Sequence, residues 1–287
     1  MRSPFLEVAD RVWVSRRPWL DTTVGLVAGS AGVMLVDTHG SAEAGRAVVA
    51  DVEALGLGPV TAVVTTHWHF DHTFGLEAVV EAWDGPTVWA HETAAEEFAR
   101  HAESCRDERA RAGHPESSDH HEAVGATRLV APDATFSSVR VLDLGDRLLE
   151  LVHPGRGHTG GDLVVNVPDA AVTFVGDLVE EAGPPSYGPD SYPLEWPTSL
   201  DVVIGLLRPD SLVVPGHGAT VDREFVQDQR AAIGIVAETI RDLAGRGVRA
   251  PDALAAGTWP FPAEGLREAV DRAYAQLPRH QRSLPLA

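Results

Sequence analysis

The chain contains no lysine: all 23 of its Lys-plus-Arg cations are arginine. Without an ammonium side chain it can form neither a Schiff base nor a P-loop, which both need one. Cations of any kind are outnumbered by 42 Asp and Glu, and the net charge of −19 would repel a phosphate backbone, whose neutralisation supplies most nucleic-acid affinity. No nucleic-acid partner is expected. A single cysteine, Cys105, excludes an internal disulfide and fits a reducing compartment. No apolar stretch approaches the roughly 18 residues of a membrane span, and the opening segment, with Arg2, Glu7 and Asp10, lacks the apolar run of a signal peptide. A cytoplasmic protein with no membrane partner is therefore expected. What remains is ordinary for a globular chain: 287 residues, 44% hydrophobic and 23% charged, enough for one large core or two joined halves.

Short β-type runs punctuated by turns open the sequence at Val12–Val14, Thr23–Val27 and Val33–Val36. A helix is expected next, with Ser41 as N-cap, Val48, Val49, Val52 and Leu55 at helical spacing, and Gly56 as the stop. Val60–Val64 reads as a strand covered on both faces. Helices are expected over Phe74–Ala82 and from Glu92 to about Arg111, with a strand at Thr87–Ala90 between them and a polar segment at Gly113–Thr127 after them. The β pattern returns at Val139–Leu144, Leu148–Val152, Leu163–Val167 and Val172–Val175. Glu180–Pro197 carries too many prolines for a helix or inner strand and reads as a long surface loop. Leu212–Val214 is a strand, Asp222 caps an amphipathic helix ended by Gly245 and Gly247, and Ala263–Leu277 reads as a docked terminal helix.

The most informative stretch is His67-Trp68-His69-Phe70-Asp71-His72, three imidazoles and a carboxylate in six residues directly after a buried strand. A turn there points alternate side chains to one side, so His67 and His69 can bind one ion while Asp71 and His72 reach toward a second. Imidazole with carboxylate suits zinc, and less selectively iron or manganese.

This His-x-His-x-Asp-His string resembles the signature of the metallo-β-lactamase fold superfamily. Three further expected ligands follow in order: His158 in Gly157-His158-Thr159-Gly160-Gly161-Asp162, Asp177 in Val175-Gly176-Asp177, and His217 in Gly216-His217-Gly218. The resemblance runs from about Val12 to Ile240. It implies an α/β fold, a four-layer αββα sandwich, with residues 1–250 as the catalytic domain and 251–287 as a helical extension docked on it. It further implies that His67, His69 and His158 hold a first zinc ion, Asp71, His72 and His217 a second, and that Asp177 bridges them. A metal-bridging hydroxide would then be the nucleophile, with Asp71 the catalytic group that accepts or relays the proton.

Departures from the branches of this family prune the activity. Flavo-diiron members carry Glu where this chain has His69; dedicated class B β-lactamases usually carry Cys or Ser at Asp177; and the scattered arginines after His217 form no basic patch like that of glyoxalase II. The expected activity is hydrolysis of a small-molecule ester, thioester, lactone or lactam by a dinuclear zinc site. The alternatives are β-lactam hydrolysis, a mononuclear iron persulfide dioxygenase, and a non-catalytic metal- or partner-binding protein.

Asp37, at a strand end, is either an acceptor orienting a ligand imidazole or a turn residue. Tyr187, Tyr192 and Trp196 either line the pocket mouth or pack their loop onto the body. Arg156 reads as a surface residue, with a fork for a substrate carboxylate as the alternative. Cys105 reads as inert. His39, His91, His101, His114, His120, His121, His153 and His280 read as solvated or structural.

Overall fold

A computed structural model describes residues 4–278; His280 and the last residues of the expected extension lie outside the described residues. The first sheet has seven strands in sequence order: β1 (Leu6–Ala9), β2 (Val12–Arg16), β3 (Thr23–Gly29), β4 (Gly32–Val36), β5 (Val60–Val64), β6 (Thr87–His91) and β7 (Ala134–Phe136). Its first four are antiparallel, and β4 to β7 are parallel. Parallel neighbours need a crossover, and α1 (Ala42–Leu55) supplies the one from β4 to β5. Ser41 Oγ accepts from Ala44 N at 3.1 Å to start it, and Gly56, at φ 67°, ends it.

The second sheet has the order β12-β11-β10-β9-β8, formed by β8 (Val139–Asp143), β9 (Leu148–Val152), β10 (Val164–Val167), β11 (Val172–Glu180) and β12 (Leu212–His217). Only β11 and β12 pair in parallel, and they are joined through α6 (Trp196–Leu206). Asp222 caps α7 (Arg223–Gly245) by accepting from Phe225 N at 2.9 Å. The segments α8 (Ala250–Ala256) and α9 (Arg267–Gln276) follow.

Three apolar layers make the four-layer αββα stack. Val27, Met34, Val36 and Val64 of the first sheet meet Leu149, Leu151, Val165 and Phe174 of the second. Behind the first sheet, Leu26, Val33, Leu35 and Val63 pack on Val48, Val49 and Val52 of α1 and on Leu76 and Val79 of α3 (Leu76–Ala82). Behind the second, Val164, Val175 and Val213 pack on Leu200, Val236 and Ile240, with Ala253 and Val270 of the last helices in the same cluster. Alternating faces of one strand thus feed two different cores, which is why the inner strands carry almost no polar residues.

Several elements depart from the sequence reading. The helix expected over Phe74–Ala82 is preceded by a one-turn helix, α2 (Phe70–Thr73), and broken at Gly75, whose N–H goes to His39 O at 2.8 Å. Strand β11 does not stop at Val175 but continues through Asp177 to Glu180, all nine residues buried. The proline-rich loop ends at Glu195, because Pro197 sits in the first turn of α6, where its missing N–H costs nothing. Strands β1 and β7, helices α6 and α8, and the short helix α5 (His121–Gly125) had no sequence counterpart. No helix among the described residues is long and apolar enough to cross a membrane.

The two sheets approach closely where Gly25 faces Phe174: a Cβ there would overlap the phenyl ring. Gly25→Ala is expected to cost about 1–3 kcal/mol by overpacking. Adding Phe174→Leu should return part of that loss in urea unfolding, and fully additive losses would show that the two positions do not meet.

Candidate metal centre

Strand ends from both sheets deliver the polar residues to one place. Strand β5 stops at Val64 and releases Thr65–His69, after which α2 presents Asp71 and His72 from a single turn. His158 lies in the glycine-rich turn between β9 and β10, Asp177 lies inside β11, and His217 is the last residue of β12. All seven residues singled out in the sequence are brought together. Ligand-type atoms of His67, His69, His158 and Asp177 lie within 4.8 Å of one another, and so do those of Asp71, His72 and His217. Asp177 joins the two groups, with Oδ2 3.4 Å from His158 Nε2 and 3.3 Å from His217 Nε2, and Oδ1 3.2 Å from His72 Nε2. Its neighbour in space, Gly216, leaves the room it needs: a Cβ there would collide with Asp177 Oδ1.

Each imidazole gives one ring nitrogen to an oxygen outside the cluster. His72 Nδ1 donates to Asp37 Oδ2 at 2.8 Å, His69 Nε2 to Asp190 Oδ2 at 3.0 Å, His158 Nδ1 to Ser186 O at 2.9 Å and His217 Nδ1 to Leu20 O at 2.8 Å. These acceptors have no proton to offer, so the outward nitrogen must carry one, and in the neutral form of each ring the lone pair is left on the inward nitrogen. His67 Nδ1 completes the set through Thr66 Oγ1 at 3.2 Å, which itself donates to Asp37 Oδ2 at 2.8 Å.

Asp37 therefore serves two ligand-type histidines, and its Oδ1 also accepts from Thr66 N at 2.7 Å. Its backbone takes φ 60°, a left-handed conformation that Asp tolerates better than most residues. The acceptor role left open in the sequence is the one realised. Asp190 and the carbonyls of Ser186 and Leu20 had no sequence signal, since an acceptor in a loop becomes recognisable only when the loop is folded onto its imidazole.

The inward atoms fit a cation. His69 Nδ1 and His158 Nε2 face each other at 2.9 Å; with both rings neutral this is a contact of two lone pairs, which a proton on His69 or a metal cation relieves. His67 Nε2 and Asp177 Oδ1 are buried with no hydrogen-bond partner, a condition costing roughly 1–3 kcal/mol per group unless something satisfies it.

The two groups differ electrostatically. In the first group burial holds His67 well below the usual imidazole range and brings His158 down to about 4, whereas in His69 burial is outweighed by Asp190 and the ring is raised. In the other group burial also opposes charge, but Asp177 and Asp71 outweigh it and raise both His72 and His217. Burial likewise opposes ionisation of Asp71 and Asp177, yet the neighbouring histidines keep both carboxyls below their usual range.

A cleft of 680 Å³ opens over the centre, lined by Leu20, Trp68, Phe70, Cys105, Arg109, Glu180, Pro184, Pro189 and Asp190 among others. Tyr187 and Trp196 are buried beneath the loop, their rings 5.1 Å apart, and Tyr192 stacks under Arg156, so the packing alternative holds for these aromatics. Arg156 pairs with Glu195 at 2.6 Å and stands outside the cleft lining. His120 stacks on Trp19, and His91 and His153 stack on each other at 3.9 Å. Cys105 faces the cleft, with burial pushing its thiol up to about 11, which leaves it a poor nucleophile. Glu180 went unmarked in the sequence except as the start of a loop; burial and the charge of Asp177 hold its carboxyl well above the usual range, a tendency that bound cations would oppose.

Loading of the centre is expected in two steps. An ion at His67, His69 and His158 must displace a proton from one raised imidazole, His69, whereas one at Asp71, His72 and His217 must displace protons from two, so the second affinity should fall more steeply as pH falls. Zinc calorimetry in buffers of different ionisation enthalpy counts the protons released; equal release in both steps would overturn the asymmetry. Asp37→Ala should weaken zinc retention by about 10–100-fold in chelator competition, and unchanged retention would mean that its bond to His72 is incidental.

Relatives carry the same architecture. A structure of a metallo-beta-lactamase from Pontibacter korlensis superposes with a TM-score of 0.64 over 80% of this chain and 98% of its own, at 24% identity. The metallo-beta-lactamase FIM-1 of Pseudomonas aeruginosa in its mono-zinc form gives 0.63 over 81% and 95%, at 17% identity. In sequence, the metallo-beta-lactamase type 2 of Bacillus cereus is 28% identical over 225 residues, 73% of this chain and 77% of that protein. The family description "metallo-beta-lactamase superfamily" matches residues 17–217, and with that span containing every residue of the centre, the chain belongs to the metallo-beta-lactamase superfamily.

Proposed function

We propose that the protein is a hydrolase with two zinc ions, one held by His67, His69 and His158, the other by Asp71, His72 and His217, with Asp177 between them. Its substrate is a small ester, thioester, lactone or lactam. The observation that carries this reading is the convergence of five inward imidazole nitrogens on two buried carboxylates, each imidazole locked from outside. Zinc bound there would supply a water with its pKa lowered to about 7 and would polarise a carbonyl.

The chain's own residues provide the rest. Asp37, Thr66, Asp190 and the Ser186 and Leu20 carbonyls hold the imidazoles in one tautomer, so no reorganisation is needed when substrate arrives. Asp71 lines the cleft with Oδ2 3.3 Å from His217 Nε2 and 3.5 Å from His72 Nε2; its carboxylate is the group placed to take up and pass on a proton. Trp68, Phe70, Leu20 and Pro189 give the cleft apolar walls that restrict water around the reacting carbonyl.

A second reading, β-lactam hydrolysis, is favoured by the name of the Bacillus cereus relative. The two separate in one experiment: elemental analysis of the purified protein with turnover of chromogenic thioester, lactone and β-lactam substrates. Two zinc per chain and turnover of one class support the hydrolase and name its substrate; one iron per chain with no hydrolysis would overturn it in favour of a dioxygenase. Asp177→Ala should lower turnover by orders of magnitude, and near-normal rates in that variant would remove Asp177 from the centre.

A further inference from the structure

The cleft has an acid that the proposed chemistry does not use. Glu180 ends β11, opposite His217 of β12, and is only 6% exposed while lining the cleft. Its carboxylate lies within 4.8 Å of ligand atoms of Asp177 and His217. Among the described residues it has no hydrogen bond and no ion pair, although an isolated buried carboxylate is among the costliest groups a fold can keep.

Its placement is enforced rather than accidental. The side-chain amide of Gln229 on α7 grips the backbone of Glu180 on both sides, accepting from its N–H at 3.0 Å and donating to its carbonyl at 2.7 Å. Nothing comparable grips the side chain, which is left facing the cleft.

The rest of the lining bears on what meets it. Arg109 is the one Lys or Arg among the lining residues; it is tied to Glu116 and lies over the Phe70 ring at 4.4 Å. Asp190 is committed to His69 and Trp68. Glu97 and Glu108 stand at the α4 (Glu92–Arg109) wall of the same cleft. An anionic substituent entering here finds only the free Nε of Arg109, which is buried beside its Glu116 pair, whereas a cationic or N–H-rich one finds Glu180.

We propose that Glu180 is the specificity-determining residue of this site and selects substrates that carry an ammonium or similar donor group next to the scissile carbonyl, against substrates that carry a carboxylate there. The proposal rests on the metal-dependent hydrolase reading but concerns binding, so it can be tested without turnover. A desolvated carboxylate a few ångströms from a substrate charge discriminates strongly between signs, because the screening of bulk water is missing.

The test uses zinc-reconstituted protein and three thiols of matched reach: 2-mercaptoethylamine, 2-mercaptoethanol and mercaptoacetate, with dissociation constants measured by calorimetry. Coordination of sulfur to zinc is common to all three, so the ratio of cation to anion affinity isolates the substituent. Glu180→Gln should lower that ratio by about tenfold or more relative to the wild type, with mercaptoethanol nearly unchanged and zinc content the same. Glu180→Leu guards against a folding defect in the first variant and should give the same shift. Equal ratios in wild type and both variants would overturn the proposal while leaving the hydrolase reading intact. Loss of one zinc in Glu180→Gln would also overturn it, by making Glu180 a ligand. No binding of any thiol to the wild type would sink the metal centre and this proposal with it, whereas the expected ratios without turnover of any substrate would sustain the proposal and count against hydrolysis.

Discussion

Five imidazoles each surrender one nitrogen to an oxygen outside the cluster, and the functional centre depends on that constraint. A histidine offers a lone pair from one side only when its other nitrogen is protonated and held. The structure achieves this with a carboxylate for His69 and His72, a hydroxyl for His67 and backbone carbonyls for His158 and His217. Asp37 is the most connected of these anchors, since it fixes His72 directly, His67 through Thr66, and the Thr66 backbone as well. A residue with three such commitments can hold an unfavourable backbone conformation, because the bonds it makes over-determine its position.

The sandwich exists, from this point of view, to bring five separate pieces of chain to one edge: Asp37, His67–His72, His158, Asp177 and His217. Parallel strands end together, so β4 and β5 release Asp37 and the His67–His72 segment side by side, while β11 and β12 place Asp177 and His217 next to each other from the opposing sheet. The apolar layers between and outside the sheets make that edge rigid, and where a side chain would prevent the close approach a glycine stands instead, as at Gly25 and Gly216. Rigidity matters because inward lone pairs and buried carboxylates at these separations are individually unfavourable; the core contributes the stability that holds them in place.

Charge is distributed with the same division of labour. Two ligand-type carboxylates are compensated by imidazoles within the centre, and Asp190 by His69, but the Glu180 carboxylate feels His217 and His72 only at longer range, with no hydrogen bond or ion pair among the described residues. An acidic chain without lysine thus carries its excess charge into the cleft as well as onto its surface, and the one arginine among the cleft's lining residues is paired with Glu116.

Local pattern made much of this legible. The His67–His72 string, with three imidazoles and a carboxylate in six residues after a buried strand, and the glycine-flanked His158, Asp177 and His217 carry their chemistry in residue type and spacing, which no folding step alters. Strong amphipathic periodicity and side-chain caps likewise marked α1 and α7, because a cap is a contact over three residues. Elements whose identity depends on long-range pairing were not readable: β11 continues through Gly176 and Asp177 only because β12 lies beside it, and α6 begins within a proline-rich stretch because its apolar face meets the second sheet. The outward anchors belong to the same category. Asp190 and the Ser186 and Leu20 carbonyls lie far from their partners in sequence, as in the separation of 122 positions between Trp68 and Asp190, and an acceptor has no local signature. The sequence by itself determined which atoms could bind an ion; only the tertiary structure decided which way each of them points and which charge is left without a partner, because those depend on contacts between chain segments that sequence order keeps apart.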